Sequence, residues 1–375
     1  MTRPAKQAET DEVAAAFHVA LSQIGVQTTA EALALWADVP ADLRAATAGG
    51  WLRRAISLVM GRRRQARDLA RAYYRLARAL QTGTTVADPY HPEPEHVTLG
   101  DLRREFAALA GTYSPPTSSR ADEAATGESG EASDARGEDP QPVEEDAPAT
   151  PEKDEHQELD DGDDDWEKIL VEELTGLREE EERIERAAEE ELRTVLDALG
   201  TQNLNRRLSE VDDRQSAKDA DAARAEAHRQ AGARQAAAAS RIAMNGGRST
   251  NWRHMRRDRR ALGYVRLSRT GTPCGWCAML ISRGPVYKSR KSAIFDDGDR
   301  YHDNCHCYAA PIWNRDQYQS SELTALSREY EALWPEVTKG HTGKDAITVW
   351  RRFIRQKQRA AAQEARRSTS TTPEA

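Results

Sequence analysis

Every cysteine of the chain falls between residues 272 and 313, as Cys274-x-x-Cys277 and then Cys305-x-Cys307, with His302 and His306 interleaved in the second group. Thiolates and imidazoles in this order are the donors of a tetrahedral zinc site. A Cys-x-x-Cys turn sets two sulfurs on one ion, and a half-site about 25 residues later can close the sphere. Gly275 lets the first turn curl around a metal, and Cys-x-Cys on extended backbone points both sulfurs to one face. The preferred ligands are Cys274, Cys277, Cys305 and Cys307, with His302 as a substitute or as an outer hydrogen-bond partner. Six donors for four positions leave the set open. Disulfides in a mature extracellular particle, or unligated thiols, are the alternatives.

Cysteine beside histidine is also the raw material of a thiolate nucleophile. However, no single cysteine is marked out by a distant base and an orienting Asn or Asp. Gly-x-Ser-x-Gly, His-Glu-x-x-His and Walker-type glycine loops are missing from the sequence, and a redox Cys-x-x-Cys lacks its βαβ setting. No catalytic residue is assigned. Just upstream the chain is basic: residues 241–291 carry thirteen Lys or Arg against one acid, Asp258. Arg253, Arg256, Arg257, Arg259 and Arg260 could contact nucleic-acid phosphates, meet an acidic protein, or face solvent. Trp252 and Tyr264 stand alone, which is sparse for base stacking.

The elements that must position this chemistry read as helices for the most part. Thr10 caps a helix with apolar face Val13, Ala16, Phe17, Leu21 and Ile24, ended by Gly25, and a short second helix covers Ala30–Trp36. A longer one runs from Trp51 to Leu80, with Gly83 past its end. Its other face carries Arg62, Arg63, Arg64, Arg67, Arg71 and Arg75, read as a solvated face or as a surface for an acidic partner. A Pro-rich link (88–94) and a helix over 101–109 follow. Helix resumes at Trp166 and carries an apolar stripe to Leu199, where Gly200 stops it. An Ala-rich helix then spans 204–244 and halts at Asn245-Gly246-Gly247, so the pair forms a hairpin or an arm. RHMRRDRRALGY is expected as helix. YVRLS, Pro285–Tyr287 and Tyr308–Trp313 are expected as strands, and helices return over 321–333 and 344–366.

Between these parts, residues 121–165 hold nineteen Asp or Glu against two basic residues, Arg136 and Lys153. A segment of this composition cannot bury enough apolar surface to offset its ordering entropy, so 112–165 is expected to be a disordered acidic linker. DDGDDDWE lacks the spacing of a calcium loop. Across 375 residues, 31% are charged and only 6% aromatic, with a mean hydropathy of -0.80. This suits helices and linkers better than a compact enzyme. No apolar run could span a bilayer and the N-terminus has no secretory h-region, so a reducing cytoplasm during synthesis is expected.

NGGR (245–248), RRDRRALGYVRL, PCGWCAMLISRGPVYKS and YHDNCHCYAAPIW together resemble the MuF-like (Mu F-type) minor capsid or head morphogenesis proteins of tailed phages, in their actinobacteriophage form. The family hallmark falls on Cys274, Cys277, Gly284, His302, Cys305 and Cys307. ARAYYRLARAL and YEALWPEVTKGHTGKDAITVWRR add to the resemblance, which covers roughly residues 10–110 and 240–355 and leaves the acidic linker unexplained. It implies a virion or prohead component beside the portal, in the capsid interior or at the portal vertex. Its partners would be portal, capsid or scaffold proteins, with packaged DNA a further one and no membrane. The actinobacterial group is often labelled capsid maturation protease, which is the alternative reading.

The expected fold is mainly α with a small α+β, metal-ribbon-like C-terminal module. The divisions are an N-terminal helical domain (1–111), the linker (112–165), the hairpin or arm (166–244), the Cys/His module with flanking helices (245–355), and a helix end with a disordered tail (356–375).

Overall fold

The computed structural model describes residues 3–41, 45–91, 93–111, 167–211, 216–268, 273–288, 301–303 and 305–370. The expected acidic linker and the C-terminal tail from residue 371 lie outside the described residues. In the rest, helices α1 (Arg3–Ala37), α2 (Ala45–Thr82) and α6 (Ala217–Arg257) form the frame. Between α2 and α6 come β1 (Thr84–Val86), β2 (His96–Thr98), α3 (Leu99–Ala110), β3 (Lys168–Glu172), α4 (Leu177–Asp197), a π turn over 198–202 and α5 (Asn203–Ser209). After α6 follow β4 (Gly263–Leu267), α7 (Gly275–Ile281), β5 (Pro285–Tyr287), β6 (Tyr308–Ile312), α8 (Arg315–Ser320), α9 (Ala325–Val337) and α10 (Gly343–Ser370). The fold is mainly helical with a small sheet beside the cysteines, as expected.

The strands build two three-stranded sheets. In the first, β3 lies between β1, parallel, and β2, antiparallel. Residues 168–172 are therefore strand where helix was expected. Ile169 is buried in the main core while exposed Lys168 and Leu170 flank it, an alternation that a helical stripe had absorbed. In the second sheet β4 is central, paired antiparallel to β5 and β6 (Tyr264 opposite Val286 and Pro311). The basic stretch is helix only to Arg257. Asp258 caps α6, and the chain then turns into β4.

Three glycine stops are corrected by the structure. α1 runs straight through Gly25, which is glycine because α6 packs close there: a Cβ would lie 2.7 Å from the Met244 sulfur. Gly200 sits in the π turn under Trp51, with 2.7 Å from an added Cβ to the ring. α6 passes through Asn245-Gly246-Gly247 unbroken. Gly246 faces the Arg63 carbonyl of α2, and a Cβ on Gly247 would stand 2.7 Å from the Ala66 oxygen. These glycines let helix axes approach closely; none ends a helix. Gly246→Ala is therefore expected to destabilise the fold by about 3 kcal/mol, the upper range for overpacking, although alanine is the better helix former. Urea unfolding would check this; a stabilised variant would contradict it.

The close approach packs α6 into two apolar clusters of the fold. Phe17 of α1, Tyr73 of α2, Trp252 of α6, Tyr264 of β4 and Tyr308 of β6 share a single apolar cluster, with Phe17 stacked on Tyr73 at 4.3 Å. A second cluster joins Trp36, Trp51, Leu192, Leu204 and Ile242.

The arginine face of α2 is a further correction. Arg63, Arg71, Arg75 and the adjacent Arg78 are buried, and their acidic partners come from this same chain. Arg63 pairs with Glu185 at 3.0 Å and donates to the Ile242 carbonyl. Arg71 lies 3.6 Å from both Asp88 and Glu181, and Arg75 reaches Glu93 and Glu105. Arg78 is held by Glu172 and Asp258, each at 2.7 Å. These acids lie 17 to 180 residues away in the sequence, so local helix patterning could not show them.

Candidate metal centre

α7 begins on the first cysteine. The Cys274 sulfur accepts from the Cys277 backbone N–H at 3.4 Å, acting as the helix N-cap where a knuckle turn was expected. Gly275 lies inside this helix; a Cβ there would press against Arg351 of α10 at 3.0 Å. Cys305 and Cys307 stand on the approach to β6. Both are buried while His306 between them is exposed, so extended backbone turns the two sulfurs to one side.

All four cysteines are free and their sulfurs converge. Cys277 lies 3.4 Å from Cys305 and 3.3 Å from Cys307, and Cys305 is 3.1 Å from Cys307. His302 Nε2 stands 3.0 Å from the Cys274 sulfur and 3.6 Å from that of Cys277. Two triads result, Cys274–Cys277–His302 and Cys277–Cys305–Cys307, each with its donor atoms within 4.8 Å, and Cys277 belongs to both. These donors can hold a metal ion. Sulfurs around tetrahedral zinc sit about 3.8 Å apart, given Zn–S bonds of about 2.3 Å, so an ion would spread this cluster only slightly. Of the residues expected from the sequence, Cys274, Cys277, His302, Cys305 and Cys307 are brought together. His306 is not: its backbone carbonyl meets His18 of α1.

The electrostatics show why the cluster suits a cation. The Cys277 and His302 hydrogen bonds hold Cys274 down to about 4. The bond to Cys274 lifts His302 to about 9. Cys305 is pulled down by its bonds with Cys277 and Cys307, while Cys277 is pushed up by Cys274, Cys305 and Cys307. Buried thiolates this close cannot all ionise on their own, so charge and proton alternate around the ring of sulfurs. A divalent cation removes that conflict, because coordinated thiols lose their protons.

Behind the sulfurs lies a cationic frame that sequence reasoning missed. Arg248 and Arg266 stack on the Tyr301 ring at 4.2 and 4.4 Å. Arg248 donates to the Cys305 carbonyl at 2.5 Å, and Arg266 reaches the Cys307 sulfur at 3.8 Å. Arg266 is buried on β4 among apolar neighbours, which is the one sequence signal that could have marked it. The cysteines also belong to an apolar cluster of their own with Ile281, Tyr330, Trp350 and Ile354, which ties α7, α9 and α10 together.

The candidate phosphate-binding arginines sit apart from this centre. Arg253 and Arg257 both engage Glu180 of α4, at 3.1 and 2.6 Å, and Arg260 engages Glu172 at 2.8 Å. Arg256 and Arg259 are exposed.

The chain has detectable kin over the part that builds this centre. Residues 205–333 match the family model of the VG15 protein. That span, 129 of 375 residues, runs from α5 to α9 and contains every cysteine. The match is to a viral family and supports a phage protein. No curated protein and no solved structure matches the chain. Among the described residues, no helix is long and apolar enough to cross a membrane.

Proposed function

We propose that this chain is a minor capsid protein of the MuF-like kind, acting in prohead assembly at or near the portal, with its Cys/His cluster closed by a structural zinc ion. The observation that carries the reading is the burial of Cys277, Cys305 and Cys307 inside an apolar cluster joining three helices. Catalytic zinc keeps an open position for water, whereas structural sites are closed by protein donors. The phage family match over the same residues and the resemblance of the motifs to head morphogenesis proteins support the assembly role. Co-purification of the chain with portal and capsid proteins from assembling proheads tests it. Absence from proheads formed in its presence would sink the proposal.

Within this reading, the three buried sulfurs take three coordination positions, Cys274 takes the fourth, and His302 donates to the Cys274 sulfur from outside. His302→Ala is then expected to keep about one zinc per chain, while Cys274→Ser loses tight binding. X-ray absorption would show four sulfurs; three sulfurs and one nitrogen would assign the fourth position to His302.

One observation favours a second reading, the capsid maturation protease. Cys274 is half-buried rather than buried, and its sulfur lies 3.0 Å from a histidine nitrogen, the spacing of a thiolate–imidazole pair. Co-expression with capsid and scaffold proteins separates the readings. Specific cleavage lost in Cys274→Ala would establish the protease.

A further inference from the structure

α10 gathers exposed arginines along one face. On the other helices many arginines are matched to acids, as Arg62 is to Glu31, Arg63 to Glu185, Arg103 to Glu9 and Arg241 to Asp303, while exposed ones such as Arg64, Arg256 and Arg259 are not gathered in this way. On α10, Arg351, Arg352, Arg355 and Arg359 are exposed, and none forms an ion pair among the described residues. At about 100° per residue these four fall within roughly 100° of arc, and exposed Lys344 and Arg366 fall on the same arc. The opposite side carries Trp350 and Ile354, buried against α7 and α9. Exposed Asp345 borders the arc about 20° beyond Arg352, Glu364 lies well away from it, and Lys357, also off it, is the residue that meets Glu329.

The stripe is held rigidly beside the cysteine loop. Trp350 packs edge-on to Tyr330 at 5.7 Å and against Trp334 at 5.1 Å. Gln358 donates to the Pro273 carbonyl at 3.1 Å. The charges are therefore presented on a fixed rod. From Lys344 to Arg366 that rod measures about 33 Å, close to one turn of duplex DNA.

We infer that this face of α10 binds the phosphate backbone of duplex nucleic acid. Three features favour a duplex over an acidic protein. The charged groups on the stripe are almost all guanidinium, the fork that matches phosphate oxygens two at a time. The other exposed positions on the same arc are Thr348 and Ala362, with none of the aromatic anchors on which protein interfaces depend. The same lack of aromatics argues against single strands, which are held by stacking. Contacts of this kind carry no base readout, so binding is indifferent to sequence. The surface is distinct from Arg253–Arg260 and does not depend on the assembly role.

Fluorescence anisotropy of a labelled duplex of about 24 base pairs, titrated with the full chain over a salt series, tests the inference. The expected result is sequence-independent binding that weakens steeply with salt. Replacing Arg351, Arg352, Arg355 and Arg359 together by Gln should weaken it about tenfold or more near 0.1 M salt and flatten the log–log salt slope by about 3–4. All four are exposed, so the variant should keep its circular dichroism; replacing Arg256 and Arg259 by Gln is the control that leaves the slope nearly unchanged. Binding unaltered by the α10 variant, or poly-glutamate of equal charge competing as well as DNA, would overturn the inference.

Discussion

Cys277→Ser is expected to strip the metal from the chain and to melt the α7–α9–α10 subunit while leaving the α1–α2–α6 core folded. Cys277 is the hub, shared by both donor triads, and is packed with Ala278, Ile281 and Trp350. Zinc contributes about 10–16 kcal/mol to the smallest zinc modules, which do not fold without it. Here Trp350, Tyr330, Ile281 and Ile354 add their own apolar burial, so the loss is partial and local, of more than about 3 kcal/mol for the subunit. Metal content by mass spectrometry should fall from about one zinc per chain to none. Amide exchange should rise across residues 275–281 and 343–359 but stay slow over 66–80. Chelation of the unaltered chain should reproduce both effects. A fully protected, metal-free protein would refute the structural zinc.

The second large effect is expected at the junction of α2, α6 and β3. Asp258 is buried, and its carboxylate accepts from Arg78 at 2.7 Å, from Tyr74 at 2.9 Å and from the Arg260 backbone N–H at 2.9 Å. Removing Arg78 leaves the Asp258 carboxylate buried without a charge partner, so Arg78→Met should cost about 3–5 kcal/mol, and Asp258→Ala less, because Glu172 still holds Arg78 at 2.7 Å. The double variant should cost clearly less than the sum, the signature of a direct pair. Burial raises the Asp258 carboxyl, but the Arg78 hydrogen bond, the Arg260 N–H and the Arg78 charge outweigh it, and the group stays below its ordinary value of 3.8. A carboxyl depressed by folding stabilises the native state above its unfolded pKa. That contribution fades as pH falls through the folded value. Acid unfolding below about pH 4 should therefore be blunted in Arg78→Met, which has already lost the contribution. Additive losses in the double variant would contradict the pairing.

Much of the candidate metal centre was legible in the sequence because its donors are rare residue types at short spacing. The alternation of Cys305, His306 and Cys307 is an equally local signal, as are the strands over 263–267, 285–287 and 308–312. The misreadings share one physical origin. Gly25, Gly200 and Gly246–Gly247 have the local character of helix stops, yet partners in distant helices decide their role. Arg63, Arg71 and Arg75 look solvated until Glu185, Glu181 and Glu105 are brought to them. Ile169 and Leu170 continue a helical stripe only until β1 and β2 offer a ladder for them. Arg248 and Arg266 behind the sulfurs have no spacing rule at all.

The pairing of the first helix with the last strand bears on how the chain is made. Tyr308 donates to the Ala14 carbonyl, Ser321 to Asp11, and Lys6 meets Glu167. The N-terminal helices leave the ribosome long before α6 and β6, the elements that cover Phe17, Leu69 and Tyr73. Their apolar faces stay open during most of synthesis, and the core closes only after residue 313 has emerged. Contacts across such separations make folding slow and the nascent chain prone to association. Expression truncated anywhere before β6 should therefore give insoluble protein, however complete its N-terminal helices are.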